Sequence, residues 1–135
     1  MTYLLDTNVL SERTRKSPHA GVEDFLRRVP ADSVRVSAMA LAEIAQGVQN
    51  NPTDPLKTFL AEVLGLSVAA FGEDEALEWG RLTSAGLARG LHLAVRDTVI
   101  AATAAAHGWT VVTRNTQDFA PLGVKTFNPW KERLR

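Results

Sequence analysis

The sequence predicts an α/β protein in which a mainly parallel sheet of five strands is sandwiched by helices in three layers, and two features point there. Short apolar or β-branched runs alternate along the chain with longer segments of helical periodicity. The runs lack the apolar-polar alternation of a half-exposed strand, which places them in a sheet buried on both faces. A length of 135 residues suits one core and is short for two, so residues 1–135 are expected to form a single domain.

The expected strands are Tyr3 to Leu5, Val34 to Val36, Val68 to Phe71, Thr110 to Val112 and Val124 to Phe127, most of them bounded by Asp, Gly, Ser or Pro. A first helix should start near Val9, with Asp6 available as its cap. Ser37 is a candidate N-cap for a helix from about Met39 to Val48. Leu56, Phe59, Leu60, Val63 and Leu64 follow the i, i+3, i+4, i+7, i+8 pattern, with Asp54 as N-cap, Pro55 at the first helical position and Gly65 as the stop. Two further helices are expected, from about Asp74 to Ala88 and from about Asp97 to His107, the latter ending at Gly108.

Composition narrows the function. The chain has no cysteine, which excludes disulfides and thiolate metal sites, so any metal must be held by oxygen or imidazole. The start offers only Tyr3-Leu4-Leu5 before Asp6, too short for a signal-peptide apolar region. The longest uncharged stretch, Thr98 to Thr113, contains His107, Gly108 and several threonines and reads as buried helix plus strand rather than a membrane span. A cytoplasmic protein is expected. Fifteen Lys or Arg balance fifteen Asp or Glu, which argues against strong non-specific nucleic-acid binding but allows a nuclease with an acidic site and a basic rim.

Four stretches carry the chemistry: Leu4 to Asn8, Leu41 to Ile44, Arg96 to Ala104 and Thr113 to Phe119. Each sets a carboxylate beside a strand end or early in a helix. In open parallel sheets ligands bind at the carboxyl ends of the strands, where the strand order reverses, so the four stretches can meet there. Asp6 at a strand end is a candidate metal ligand or a helix cap. Glu43, with Ala40 and Gly47 on its face, is a candidate ligand or a solvated helix residue. Asp97 at a helix N-terminus is a candidate ligand favoured by the macrodipole, or an ordinary first-turn acid. Asp118 is a further candidate, although Asn115 to Asp118 is also turn chemistry. Converging carboxylates repel unless a divalent cation or a shared proton neutralises them. Oxygen ligands of this kind suit Mg2+ or Mn2+. Thr7, Asn8, Thr113 and Asn115 can orient the acids. Arg13, Arg15, Lys16 and Arg114 are candidate contacts to a nucleic-acid phosphate, or plain surface charges, as is Arg96. His19, His92 and His107 lack metal-ligand spacing and read as surface or helix-end residues. No glycine-rich dinucleotide loop or phosphate loop is present.

Taken together, Leu5-Asp6-Thr7-Asn8-Val9-Leu10-Ser11-Glu12, Ser37 with Leu41-Ala42-Glu43-Ile44 to Gly47, Asp97 to Ala104, Val112 to Phe119 and Asn128-Pro129-Trp130 resemble the PIN-domain ribonucleases. The branch they resemble comprises the VapC and FitB-like toxins of bacterial type II toxin–antitoxin pairs. The resemblance implies strand order 3-2-1-4-5, a homodimer, and Mg2+- or Mn2+-dependent cleavage of RNA, with tRNA or rRNA as substrate. It also implies inhibition by a small antitoxin whose tail enters the acidic cleft, operator DNA bound only through that antitoxin, and no membrane partner. Asp6, Glu43 and Asp97 would form the acidic triad, with Asp118 as fourth acid because the other family position is here Asn115. Helices 54–64 and 74–88 would supply the dimer surface through Phe59, Leu60, Trp79 and Leu82, each of which could equally be an ordinary core residue. Two rivals remain: an idle module whose cleft accepts an Arg-rich peptide, and a phosphoryl-transfer domain with Asp6 as nucleophile, which wants a lysine at the carboxyl end of a late strand, whereas Lys125 falls within the last strand.

Overall fold

The computed structural model describes residues 1–135. Strands β1 (Tyr3–Leu5), β2 (Val34–Ser37), β3 (Val68–Ala69), β4 (Thr110–Val112) and β5 (Lys125–Phe127) form one sheet in the order β3-β2-β1-β4-β5. Every neighbouring pair is parallel, with Leu5 in register between Val36 and Val112. The helices are α1 (Thr7–Glu12), α2 (Ala20–Arg28), α3 (Ala38–Asn50), α4 (Asp54–Leu64), α5 (Glu73–Ala88), α6 (Val95–His107) and α7 (Thr116–Phe119).

Successive strand residues serve opposite faces, which is why the strands are apolar throughout. Leu5, Val36 and Val112 pack with Val9 and Leu10 of α1, Val22 and Phe25 of α2, Ala40 and Ile44 of α3, and Val63 of α4. Leu4 and Val111 face the other way, onto Leu82 of α5, Ile100, Ala101 and Ala104 of α6, and Phe119 of α7. The sheet is thus the middle of three layers. No helix is long and apolar enough to cross a membrane.

The caps explain most boundaries. Asp6 caps α1, accepting from the Thr7 N–H, and Ser37 caps α3, accepting from the Met39 N–H. Thr53, rather than Asp54, caps α4 by accepting from the Leu56 N–H, because its hydroxyl stands three residues ahead of that donor. Gly108 ends α6 with φ of 69°, in the left-handed region that glycine reaches without strain. Helix α6 begins at Val95, which moves Asp97 to its third position. Strand β3 stops at Ala69 because its partner β2 ends at Ser37, which turns into α3; Phe71 is left exposed. Helix α2 is an element beyond those expected from the sequence, although Val22, Phe25, Leu26 and Val29 carry helical spacing. Its start is capped by the ring of His19, which accepts from the Gly21 N–H. Gly21 is needed because an added Cβ would stand 2.3 Å from the Pro129 carbonyl oxygen.

The expected dimer residues are distributed differently. Leu82 belongs to the core, and Phe59 and Leu60 pack partly onto the opposite core. Trp79 is half-buried, its indole N–H donating to the Thr98 hydroxyl. The apolar side chains these helices leave in solvent are Leu64, Leu77 and Leu87.

Candidate functional site

β1 is flanked by β2 and β4, and the chain leaves it towards β2, then returns past it to β4, so the order reverses between β1 and β4. A crevice at the carboxyl end of these two strands follows from that reversal. Asp6 stands at the end of β1 and Thr113 at the end of β4, both fully buried. Asp6 Oδ1 accepts from the Thr7 N–H at 2.7 Å, and Oδ2 accepts from the Thr113 hydroxyl at 2.8 Å. Thr113 Oγ1 in turn accepts from Asn8 Nδ2 and from the Asn115 N–H. The Thr7 hydroxyl donates to Glu43 Oε1 at 3.0 Å, linking α1 to α3. Thr7, Asn8 and Thr113 therefore hold the acids in place, whereas Asn115 contributes its backbone and its side chain makes no hydrogen bond with the rest of the chain.

Asp6, Glu43 and Asp97 converge on one cation of the chain itself, Arg96. Its Nε donates to both Glu43 oxygens at 2.8 and 2.9 Å, Nη1 donates to Asp97 Oδ1 at 2.8 Å, and Nη2 pairs with Asp6 Oδ1. The three carboxylates hold the Arg96 guanidinium well above its ordinary pKa against the opposing effect of burial. Burial pushes the Asp97 carboxyl up, and Asp118 and Asp6 add to that, while Arg96 pulls it back. The residue read from sequence as a surface charge is thus the centre of the cluster. Within the chain itself, this guanidinium offsets the charge of the three carboxylates. A signal was available, since Arg96 immediately precedes Asp97 at a helix start, where the macrodipole disfavours a cation unless nearby anions hold it.

Asp118, in the first turn of α7, lies outside this ring of contacts. With Asp97 it lines a cavity of about 430 Å³ whose other walls include His92, Leu93, Gln117 and Pro121. Arg114 is exposed just beyond β4, its guanidinium 5.3 Å from the centre of the Trp130 ring. Asn128 fastens that segment by donating to the Arg114 carbonyl and accepting from the Trp130 N–H, which gives the terminal Asn128-Pro129-Trp130 run its role. Arg13, Arg15 and Lys16 follow α1, one short helix away from Asp6, and none of them touches the acidic cluster. Arg15 pairs instead with the buried Glu12, which also accepts from the His19 N–H. Lys125 pairs in register with Thr110 at the amino end of the sheet, opposite the Asp6 edge, so it cannot serve a phosphorylated Asp6.

As they stand, no three acidic or imidazole side chains are close enough to share one ion. The donor set nevertheless suits a hard divalent cation: three carboxylates already point at a single positive group, and all offer oxygen.

Residues 3–124 match the family model described as PIN domain. The chain is similar to the toxin FitB of Neisseria gonorrhoeae, with 35% identity over 137 residues covering 96% of this chain and 99% of that protein. It is similar to the VapC ribonuclease Y4jK of Sinorhizobium fredii, at 31% identity covering 95% and 97% of the two chains. Its fold superposes on the solved structure of FitAB bound to the IR36 DNA fragment with a TM-score of 0.85, at 31% identity and 99% coverage of both chains.

Proposed function

Because this chain belongs to the PIN-domain family, in its VapC and FitB toxin branch, we propose that it is the ribonuclease toxin of a type II toxin–antitoxin pair, cleaving RNA with Mg2+ or Mn2+. The observation that carries this reading is the convergence of Asp6, Glu43 and Asp97 on one cation at the strand-order reversal. These three, with Asp118 beside Asp97, are the residues that would hold the metal. A bound Mg2+ or Mn2+ supplies an activated water and charge neutralisation for phosphodiester hydrolysis.

The chain's own residues do the rest. Asp6, locked by the Thr7 N–H and the Thr113 hydroxyl, is the fixed reference of the site, and Glu43 and Asp97 approach it from two separate helices. Arg114, steadied by Trp130, presents a cation at the rim for an RNA phosphate. Arg13, Arg15 and Lys16 serve RNA farther from the cut, since α1 separates them from the acids. RNA of the tRNA or rRNA type is the substrate class we assign.

The partner is a cognate antitoxin, through which alone operator DNA is bound. An apolar groove of about 720 Å³, with Leu10, Leu26, Val29, Val34 and Leu66 in its walls and Arg13 at its edge, offers that antitoxin a surface. A second reading, an idle module whose cleft accepts an Arg-rich peptide, is favoured by the fact that the acids do accept a guanidinium.

Mapping new RNA ends after brief expression of the wild type and of Asp97→Asn, alongside cleavage of structured RNA by the purified protein, separates the two. New ends with the wild type only, and cleavage that stops on chelation, are expected. Cleavage persisting in excess EDTA would reject the metal, and no ends in either case would leave the binding module.

A further inference from the structure

All three nitrogens of the Arg96 guanidinium are engaged within the acidic cluster. Besides the bonds to Glu43, Asp97 and Asp6, its Nη2 lies 3.4 Å from the Thr7 hydroxyl. The acids are arranged on the edges of a planar group, not around a point. Oxygens bound to one Mg2+ sit at about 2.0–2.1 Å from it. Oxygens spaced around a guanidinium are farther apart, and this is the physical reason that no three of these acids can share an ion while Arg96 stays in place.

We propose that Arg96 is a built-in competitor for the divalent cation, holding the three carboxylates in the metal-free protein and withdrawing when the ion enters. The inference rests on the metal-dependent reading of the same site. Three observations support it. Arg96 occupies the second position of α6, where the helix N-terminus repels a cation, so only the carboxylates keep it inward. Its side chain is 32% exposed, which leaves a path to solvent along the cleft. Asp6 and Thr113 are anchored independently of it, so the floor of the site remains when Arg96 leaves.

Arg96 thereby spares the metal-free protein the mutual repulsion of three carboxylates and raises the ion concentration needed to load the site. The same bonds that stabilise the metal-free cluster weaken its metal affinity, because the ion must replace them.

The test uses the full chain freed of metal by EDTA and dialysis. Calorimetric titration with Mn2+ should show Arg96→Met binding about tenfold more tightly than wild type, as expected when one cation stops repelling another at contact distance. The metal-free melting midpoint of Arg96→Met should be lower than that of wild type, and Mn2+ should raise it by more. Equal Mn2+ affinity in the two proteins would overturn the competition while leaving the metal site standing. Absence of Mn2+ binding in both would overturn the metal-dependent reading and the competition with it. Should Arg96→Met fail to fold, the wild type decides alone. The Arg96 Nε–H signal in nitrogen-15 spectra should be protected without metal and should shift and exchange with water on saturation with Mg2+. An unchanged signal at saturation would overturn the proposal.

Discussion

Asp6 and Asp97 touch the same guanidinium but differ in what their charge costs. Asp97 has its carboxyl pKa raised above the ordinary 3.8 by burial. The folded chain therefore binds that proton more tightly than the unfolded chain, and stability falls as pH rises through the interval between the ordinary and the raised value. An ionised Asp97 is thus a burden at neutral pH. Asp97→Asn should leave the metal-free melting midpoint unchanged or raise it by a few degrees at pH 7, with the gap closing as pH falls through the raised value. Asp6 is wholly buried and anchors Arg96, the Thr7 N–H and the Thr113 hydroxyl at once. Asp6→Asn should destabilise the metal-free protein by about 1–3 kcal/mol, because it weakens several buried bonds and leaves Arg96 short of a partner. Thermal melts of the two variants over pH 3–8 decide this. On sequence alone both substitutions relieve repulsion; with Arg96 already inside the cluster, only Asp97→Asn retains that expectation.

Helices α5 and α6 form the most extensive helix pair of the fold, and a polar clasp joins them. Glu75, buried in the first turn of α5, accepts from the Gly72 N–H at 2.9 Å and contacts His107 Nε2 at 3.0 Å at the last residue of α6. The Gly72 N–H holds the Glu75 carboxyl below its ordinary 4.5, with His107 adding to that and burial opposing. A depressed folded-state pKa contributes stability that is present above the unfolded value and is lost as pH falls through the folded one. Glu75→Ala should therefore cost about 1–2 kcal/mol at pH 7, the size of a lost helix cap, and the difference from wild type should vanish in acid. Urea denaturation across pH 2.5–7 measures it; a pH-independent difference would assign Glu75 to packing alone.

For the molecule as a whole, the remaining question is assembly. Leu77 is 68% exposed and Leu87 65% exposed, both on α5, and Leu64 is exposed at the end of α4. The two leucines of α5 are apolar side chains left in water on one helix, and such exposure favours association. Light scattering at micromolar concentration should give twice the chain mass of 14.7 kDa. Glu at both Leu77 and Leu87 should return a monomer with the melting behaviour of a folded protein; an unaltered mass would place the interface elsewhere. What the sequence by itself determined was the alternation of strands and helices, the buried character of β1, β2 and β4, the caps at Asp6 and Ser37, and the acids at strand ends and helix starts. These follow from local periodicity and from hydrogen bonds between near neighbours, which any short window records. Helix α2 is equally legible in its spacing, but its start is not, because a histidine ring stands where Ser, Thr, Asp or Asn ordinarily caps. Tertiary structure alone decided that Leu82 is core, that Arg13, Arg15 and Lys16 stand apart from the acids, and that Arg96 joins Asp6, Glu43 and Asp97 across separations of 90, 53 and 1 residues. A side chain's partners across such distances depend on which strand ends the sheet order brings together, and the strand-order reversal between β1 and β4 is a property of the folded chain rather than of any stretch of sequence.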